Sequence, residues 1–309
     1  MGEGRYRDAE ARLFEDAGLQ PVERWLALPR LGTRARVLVT GDGPPLVFFH
    51  GGPDAGATWA YLAAALPGFR CHLVDRPGCG LSEPPHALPD RSTLPTYVAD
   101  LAADVLDALE LDRAGLVGCS FGGYLSLRAA IAHPDRVASV VLTGCPAFVP
   151  GWTPPSFAGV LRTPLVGRLL LAAPPTRASV RFSLRQFGHR RSLESNRIPA
   201  AMLDWIRAWQ RDTDTMRNDA RMILACGSWP AGFDPALDLT PEDLGVVRAG
   251  CLIVSGADDP VGGAEVTRRL ASLLPDARVD VWEGAGHLPW LDDPMRGAAA
   301  VASFAHAHP

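Results

Sequence analysis

The chain has no apolar run approaching the length of a transmembrane helix, so no membrane partner is expected. Its first residues, Met1-Gly2-Glu3-Gly4-Arg5-Tyr6-Arg7-Asp8, are polar and hold no signal-peptide apolar stretch, which makes the cytoplasm the expected compartment. Charge of one sign is also lacking. A net charge of −4 over 309 residues gives no reason to expect nucleic acid or a strongly anionic surface as partner. Six cysteines (Cys71, Cys79, Cys119, Cys145, Cys226 and Cys251) show neither C-x-x-C pairing nor Cys/His metal spacing, so free thiols are expected and no metal site is implied. Most lie in apolar segments, where cysteine behaves as a small buried hydrophobe. There is no internal repeat and no low-complexity tract. What is left is an ordinary composition, 47% hydrophobic and 21% charged, at a length that suits one large domain or a domain carrying an insertion.

Residues 5–19 have the pattern of an amphipathic helix, with Tyr6, Leu13 and Phe14 available to dock on the body. Two β-rich segments follow, Val22–Leu28 and Arg34–Thr40, joined by a glycine-containing turn. Beyond Gly41-Asp42-Gly43-Pro44-Pro45 the pattern changes to short, continuously apolar strands alternating with helices. The strands are Leu46–His50, Cys71–Val74, Gly115–Cys119, Ser139–Thr143, Cys251–Ser255 and Arg278–Trp282. The helices are Thr58–Leu66, Leu94–Leu109, Phe121–His133, Gly263–Leu274 and Pro294–Ala305. Strands apolar along their whole length, separated by helices, imply a mostly parallel, doubly wound α/β sheet of about eight strands covered on both faces. The alternation stops between about Ala147 and Leu244, where the chain is proline-rich and then helical, with Met202, Trp205, Ile206 and Trp209 at helical spacing. This reads as a helical cap inserted after strand 6, giving a core of 1–146 and 245–309 with a lid of 147–244.

The chemistry-bearing feature is Gly118-Cys119-Ser120-Phe121-Gly122-Gly123. An apolar strand precedes it and a helix-forming run follows, so Ser120 sits on a strand–turn–helix corner that lifts its hydroxyl clear of the backbone. A serine hydroxyl is a weak nucleophile at neutral pH and needs a base, usually a histidine oriented by a carboxylate. In a doubly wound sheet such groups gather at the C-terminal ends of strands. Ser120 follows one strand; Asp258 and Asp259 follow another in Gly256-Ala257-Asp258-Asp259-Pro260; His287 follows a third in Gly284-Ala285-Gly286-His287-Leu288-Pro289. After the first parallel strand comes His50-Gly51-Gly52-Pro53, whose glycines let backbone N–H groups approach a substrate oxygen. The amides of Gly52 and Phe121 are the expected oxyanion hole. Losing one such donor costs about 2.7–4 kcal/mol of barrier.

With these motifs the chain resembles the α/β-hydrolase fold superfamily, in its lidded branch with an H-G-x-P loop. The likeness covers roughly residues 22–146 and 240–307 and leaves the lid unmatched. It includes Asp75-Arg76-Pro77-Gly78-Cys79-Gly80-Leu81-Ser82, similar to the D-R-x-G-x-G-x-S turn of these proteins, and His133-Pro134-Asp135-Arg136-Val137 behind the elbow. The family's G-x-x-D spacing selects Asp259 over Asp258, and the resemblance implies a triad of Ser120, Asp259 and His287. His50, Gly51, Trp205, Trp209 and Leu288 are expected to line the substrate site or to support it, His50 as an anchor of the oxyanion loop. His133, His189, His306 and His308 lie outside any motif and read as surface residues.

Within the lid no Asp or Glu occurs between Arg136 and Leu193, while Arg162, Arg168, Arg177, Arg181, Arg185, Arg190 and Arg191 are present. Either one of them meets a substrate carboxylate, or they form a solvated stripe, as the four-residue repeat of 177, 181 and 185 favours. Trp152, Phe157, Phe182, Phe187, Trp205 and Trp209 fit a medium-sized apolar or aromatic substrate as well as ordinary packing. The serine at the elbow disfavours epoxide hydrolase and haloalkane dehalogenase chemistry, which needs a carboxylate there. Phe121 departs from the Trp usual in proline iminopeptidases, and Leu288 from the Trp usual in carbon–carbon hydrolases of meta-cleavage products. The expected activity is hydrolysis of an ester-like small molecule, a carboxylic ester or lactone, through an acyl-enzyme. The alternatives are a meta-cleavage-type carbon–carbon hydrolase, a proline-iminopeptidase-like aminopeptidase, or a non-catalytic binding protein on the same fold. No cofactor is implied, and the chain is expected to be a monomer or homodimer.

Overall fold

A computed structural model describes residues 2–154, 173–228 and 232–308. In these, eight strands form one sheet: β1 (Val22–Leu28), β2 (Thr33–Thr40), β3 (Pro45–Phe49), β4 (Arg70–Val74), β5 (Ala114–Gly118), β6 (Val137–Thr143), β7 (Gly250–Gly256) and β8 (Ala277–Trp282). Their spatial order is β1-β2-β4-β3-β5-β6-β7-β8. β1 pairs antiparallel with β2, and β2 with β4; every later pairing is parallel. β5, β6 and β7 are buried at every position, whereas the edge strand β1 buries only Leu26 and Leu28. Burial on both faces is what makes the central strands continuously apolar.

Successive residues of one strand serve opposite faces, so the sheet divides its side chains between two cores. Val47, Phe49, Leu116, Val140 and Ile253 join one cluster; Leu46, Phe48, Val117, Val141 and Leu252 join the other. Each such side chain contributes about 1.5–3 kcal/mol by leaving water. The helices covering the sheet are α1 (Gly2–Asp16), α2 (Ala60–Ala64), α3 (Leu94–Ala108) and α4 (Phe121–Ala132) from the first half of the chain. α1 buries Tyr6, Leu13 and Phe14, as its periodicity requires. The helix expected at Thr58–Leu66 is instead a 3₁₀ turn, Gly56–Trp59, running into α2. There the Gly56 N–H donates to Asp75 Oδ1 at 2.6 Å, and a Cβ on Gly56 would lie 2.9 Å from the Leu73 carbonyl. The first turn is tightened by that close approach to β4.

Between β6 and β7 the chain leaves the sheet, yet these two strands are direct neighbours. The described part of this excursion holds α5 (Arg177–Gln186), α6 (Arg190–Glu194), α7 (Ala200–Asp212), α8 (Thr215–Ala225) and α9 (Pro241–Gly245). It also contains a two-residue antiparallel ribbon, Gly227–Ser228 with Gly232–Phe233, where the sequence shows no convincing strand. After β7 come α10 (Ala264–Leu273), then β8, α11 (Pro289–Asp292) and α12 (Pro294–Ala307). None of the described helices is long and apolar enough to cross a membrane.

Candidate active site

Ser120 lies between β5 and α4 with φ +51° and ψ −115°, backbone angles that a non-glycine residue seldom adopts. Its neighbours explain how the corner closes. A Cβ on Gly118 would sit 2.3 Å from the Gly122 carbonyl oxygen, and one on Gly122 would sit 1.9 Å from that of Phe49. Both positions therefore require glycine. The Ser120 hydroxyl makes no cap hydrogen bond to α4, so it is not spent as a helix cap.

His287 and Asp259 are both buried, at 4% and 5% exposure. The imidazole Nδ1 lies 2.9 Å from Asp259 Oδ2 and 3.0 Å from Oδ1. The same carboxylate accepts the Cys145 N–H at 3.0 Å and the Val261 N–H at 2.8 Å. Burial pushes this carboxyl up, but the His287 charge and hydrogen bond, with the two amides, outweigh it and hold it below the ordinary carboxylate range. Asp258, the competing acid, is exposed. With Nδ1 directed at Asp259, the Nε2 face of His287 is left for the cavity it shares with Ser120.

The loop opposite is fixed by His50, which is fully buried. Its Nδ1–H donates to the Gly51 carbonyl at 2.7 Å and its Nε2 accepts the Arg76 N–H at 3.1 Å. Burial first and the Arg76 charge second push this imidazole well below its ordinary range, so it stays neutral and structural. Gly51 is drawn close to the elbow: a Cβ there would lie 3.2 Å from Ser120 Cβ. Neither the Gly52 nor the Phe121 amide donates to another backbone group among the described residues.

Arg76 ties this loop to α8. Its guanidinium lies 4.7 Å over the Phe121 ring, donates to the Gly51 carbonyl at 2.8 Å and pairs with Asp219 Oδ2 at 3.2 Å. Around it the segment Asp75–Ser82 closes on itself. Asp75 Oδ2 accepts the Leu81 N–H at 3.1 Å, the Ser82 hydroxyl donates to the Asp75 carbonyl at 2.7 Å, and a Cβ on Gly80 would collide with the Asp75 carboxylate at 2.2 Å.

Ser120 and His287 line a cavity of about 390 Å³ together with Gly51, Gly52, Asp54, Trp209 and Leu288. A second recess of about 60 Å³, lined by Phe148, Trp152 and Met222, also opens on Gly52 and Ser120. Trp205 corrects an expectation: it is fully buried in the core cluster and is not among the described residues lining the cavity, because α7 turns that position onto the body of the protein. Phe182 is 62% exposed and is not among the described residues lining either cavity at Ser120, while the Phe187 ring stacks on that of His287, with centroids 5.4 Å apart. Phe157, Arg162 and Arg168 lie outside the described residues. Arg177 pairs with Asp204 and Arg190 with Glu194 on exposed surface, and Arg181 donates to the Leu193 carbonyl.

His189 overturns its expected surface position. It is fully buried and bonded to Asp292, residues a hundred positions apart that no local pattern connects. All six cysteines are buried and unpaired. Cys119 lies beneath the elbow, and burial pushes its thiol well above the ordinary range, so it carries little thiolate. Among the described residues no group of three or more His, Cys, Asp or Glu is disposed to hold a metal ion.

A family model described as the alpha/beta hydrolase fold matches residues 44–294. The chain is 31% identical over 255 residues to a 2-hydroxy-6-oxo-2,4-heptadienoate hydrolase of Pseudomonas putida, covering 80% of this chain and 83% of that protein. It is 29% identical over 269 residues to a pimeloyl-[acyl-carrier protein] methyl ester esterase of Chromobacterium violaceum, covering 85% and 94%. A solved carboxylesterase of Bacillus subtilis superposes with a TM-score of 0.74 at 22% identity, covering 99% of each chain, a likeness of fold.

Proposed function

This chain belongs to the α/β-hydrolase fold family, and we propose that it hydrolyses an ester-like small molecule through an acyl-enzyme formed on Ser120. His287 Nε2 takes the Ser120 proton as Oγ attacks the carbonyl carbon. Asp259 holds the opposite nitrogen and stabilises the imidazolium. The tetrahedral oxyanion rests on the amides of Gly52 and Phe121, with the α4 N-terminus behind them. The proton then passes from His287 to the leaving alcohol, and water activated by the same imidazole releases the acid. The observation that carries this reading is an uncapped serine at a strained elbow, facing the same cavity as a histidine whose other nitrogen is held by a buried carboxylate.

In this reading residues 147–244 cap the core in the manner of the H-G-x-P branch, with Trp209 and Leu288 against the substrate. Six unpaired thiols support a reducing compartment, taken here as the cytoplasm. The test is stopped-flow hydrolysis of p-nitrophenyl esters of increasing chain length. The expected result is a burst of one nitrophenolate per chain followed by slower turnover, abolished in Ser120→Ala; an unaltered Ser120→Ala enzyme contradicts it.

A second reading, cleavage of a carbon–carbon bond in a vinylogous diketone, is favoured by the 31% identity to a hydrolase named for such a compound. Turnover of a dienol diketone with none of simple esters selects it. Both readings use the same serine and histidine.

A further inference from the structure

Three consecutive backbone amides around His287 are each held by a different group, and two of the three acceptors come from the excursion between β6 and β7. The Gly286 N–H donates to Asp292 Oδ2 at 2.9 Å. The His287 N–H donates to the Phe187 carbonyl at 2.8 Å. The Leu288 N–H donates to His189 Nε2 at 3.1 Å. Because Nε2 accepts a backbone N–H, its lone pair is free and the ring proton sits on Nδ1. That Nδ1–H points at Asp292, 3.0 Å from Oδ2 and 3.1 Å from Oδ1. Ser192, in the middle of α6, donates its hydroxyl to the same carboxylate. The result is a second Asp–His pair, buried behind the His287 loop; neither residue is itself among the described residues lining the cavity, which the pair meets through the Leu288 amide.

Close backbone packing accompanies these bonds. Gly188 has φ +87°, and a Cβ there would lie 2.3 Å from the Asp258 carbonyl oxygen and 2.9 Å from Gly286 Cα. On Gly286 a Cβ would lie 2.4 Å from the Phe187 carbonyl oxygen. The α5–α6 turn and the His287 loop are therefore in backbone contact, with glycine on both sides.

We propose that His189, anchored by Asp292, is a positioning residue for the reaction: it fixes residues 286–288 and thereby the approach of His287 Nε2 to Ser120, so turnover requires the α5–α6 turn to be seated. The inference rests on His287 being the base, as read above. Removing the imidazole takes the acceptor from the N–H of the half-buried Leu288 and frees the loop to shift. A displacement of about 1 Å at a catalytic group costs up to about a hundredfold in rate.

His189→Ala and His189→Gln test it, the glutamine amide being able to supply an acceptor near the position of Nε2. In p-nitrophenyl ester hydrolysis, His189→Ala is expected to lower kcat about tenfold to a hundredfold. Its KM is expected to stay within about threefold, because among the described residues His189 makes no hydrogen bond to Gly51, Gly52, Asp54 or Trp209, which hold the rest of the cavity wall. The acidic limb of its kcat/KM profile should move, and His189→Gln should recover part of kcat. Far-UV circular dichroism and titration with a fluorophosphonate count the folded, competent sites to which kcat is normalised. A normalised kcat equal to wild type in both variants, with only a lowered melting temperature, overturns the proposal. If His189→Ala does not fold, His189→Gln decides: unchanged kcat and pH profile overturn it, a partial loss with a shifted limb supports it. Wild-type protein that neither reacts with the fluorophosphonate nor turns over esters refutes the underlying base assignment instead.

Discussion

Asp54 gives the wall of the main cavity a charge that changes near neutral pH. Burial pushes its carboxyl up to about 7, against the Ala55 N–H, the Thr58 hydroxyl and the Arg76 charge, which pull it down, and with the Asp219 charge, which adds to the rise. Above that pH the wall carries an additional negative charge. The ratio of kcat/KM for a carboxylate-bearing ester to that for a matched neutral ester should therefore fall about tenfold as pH rises through 7. In Asp54→Asn it should stay flat; a flat ratio in wild type removes the claim. The ratio cancels every pH effect on the chemical step that both substrates share. Stability follows the same sign. The folded state holds a proton on Asp54 that the unfolded chain releases from an ordinary value of 3.8, so this contribution is present below about 3.8 and lost as pH rises through 7. Other single residues were unequally legible in the sequence. The elbow could be read because Gly118 and Gly122 are imposed by contacts within a few residues or with the adjoining strand. Asp258 and Asp259 could not be separated by side-chain chemistry, since the two are identical and what distinguishes them, burial and the bonds to His287, Cys145 and Val261, depends on distant segments. His189 was missed because its partners, Leu288 and Asp292, are 99 and 103 residues away.

At the scale of elements, α8 is the piece of the excursion that grips the Arg76 side of the cavity. Thr215 accepts the Gly80 N–H at 2.9 Å, Asn218 donates to the Gly78 carbonyl at 2.8 Å, and Asp219 meets Arg76. Arg76 and Asp219 are 3% and 5% exposed, so removing one leaves the other charged and unpaired out of water. Asp219→Ala should destabilise the fold by about 3–5 kcal/mol, with Asp219→Asn costing less because it keeps an oxygen facing the guanidinium. Urea denaturation of both variants checks this; equal midpoints for wild type and Asp219→Ala contradict it. The central strands were legible because burial on both faces forces an unbroken apolar run, as in β6 and β7. The two-residue ribbon at 227–233 was not, since it is too short to impose a period on side chains.

Across the whole molecule, the sheet closes as if the excursion were absent: Thr143 of β6 is in register with Val254 of β7. The order of strands and helices was readable along the chain because each βα unit packs on its sequence neighbours. How the excursion sits on the core was not, because contacts such as Asp219 with Arg76 and His189 with Asp292 cross more than a hundred residues and leave no local period. This convergence of distant segments on one rim is the central claim, and Ser120 is where it becomes chemistry. Its most direct measurement is mass spectrometry of the folded protein after treatment with a fluorophosphonate, followed by peptide mapping. One adduct per chain on Ser120, formed slowly in His287→Ala and absent in Ser120→Ala, is the expected result. No adduct on the folded wild-type chain, or an adduct at another residue, would contradict it.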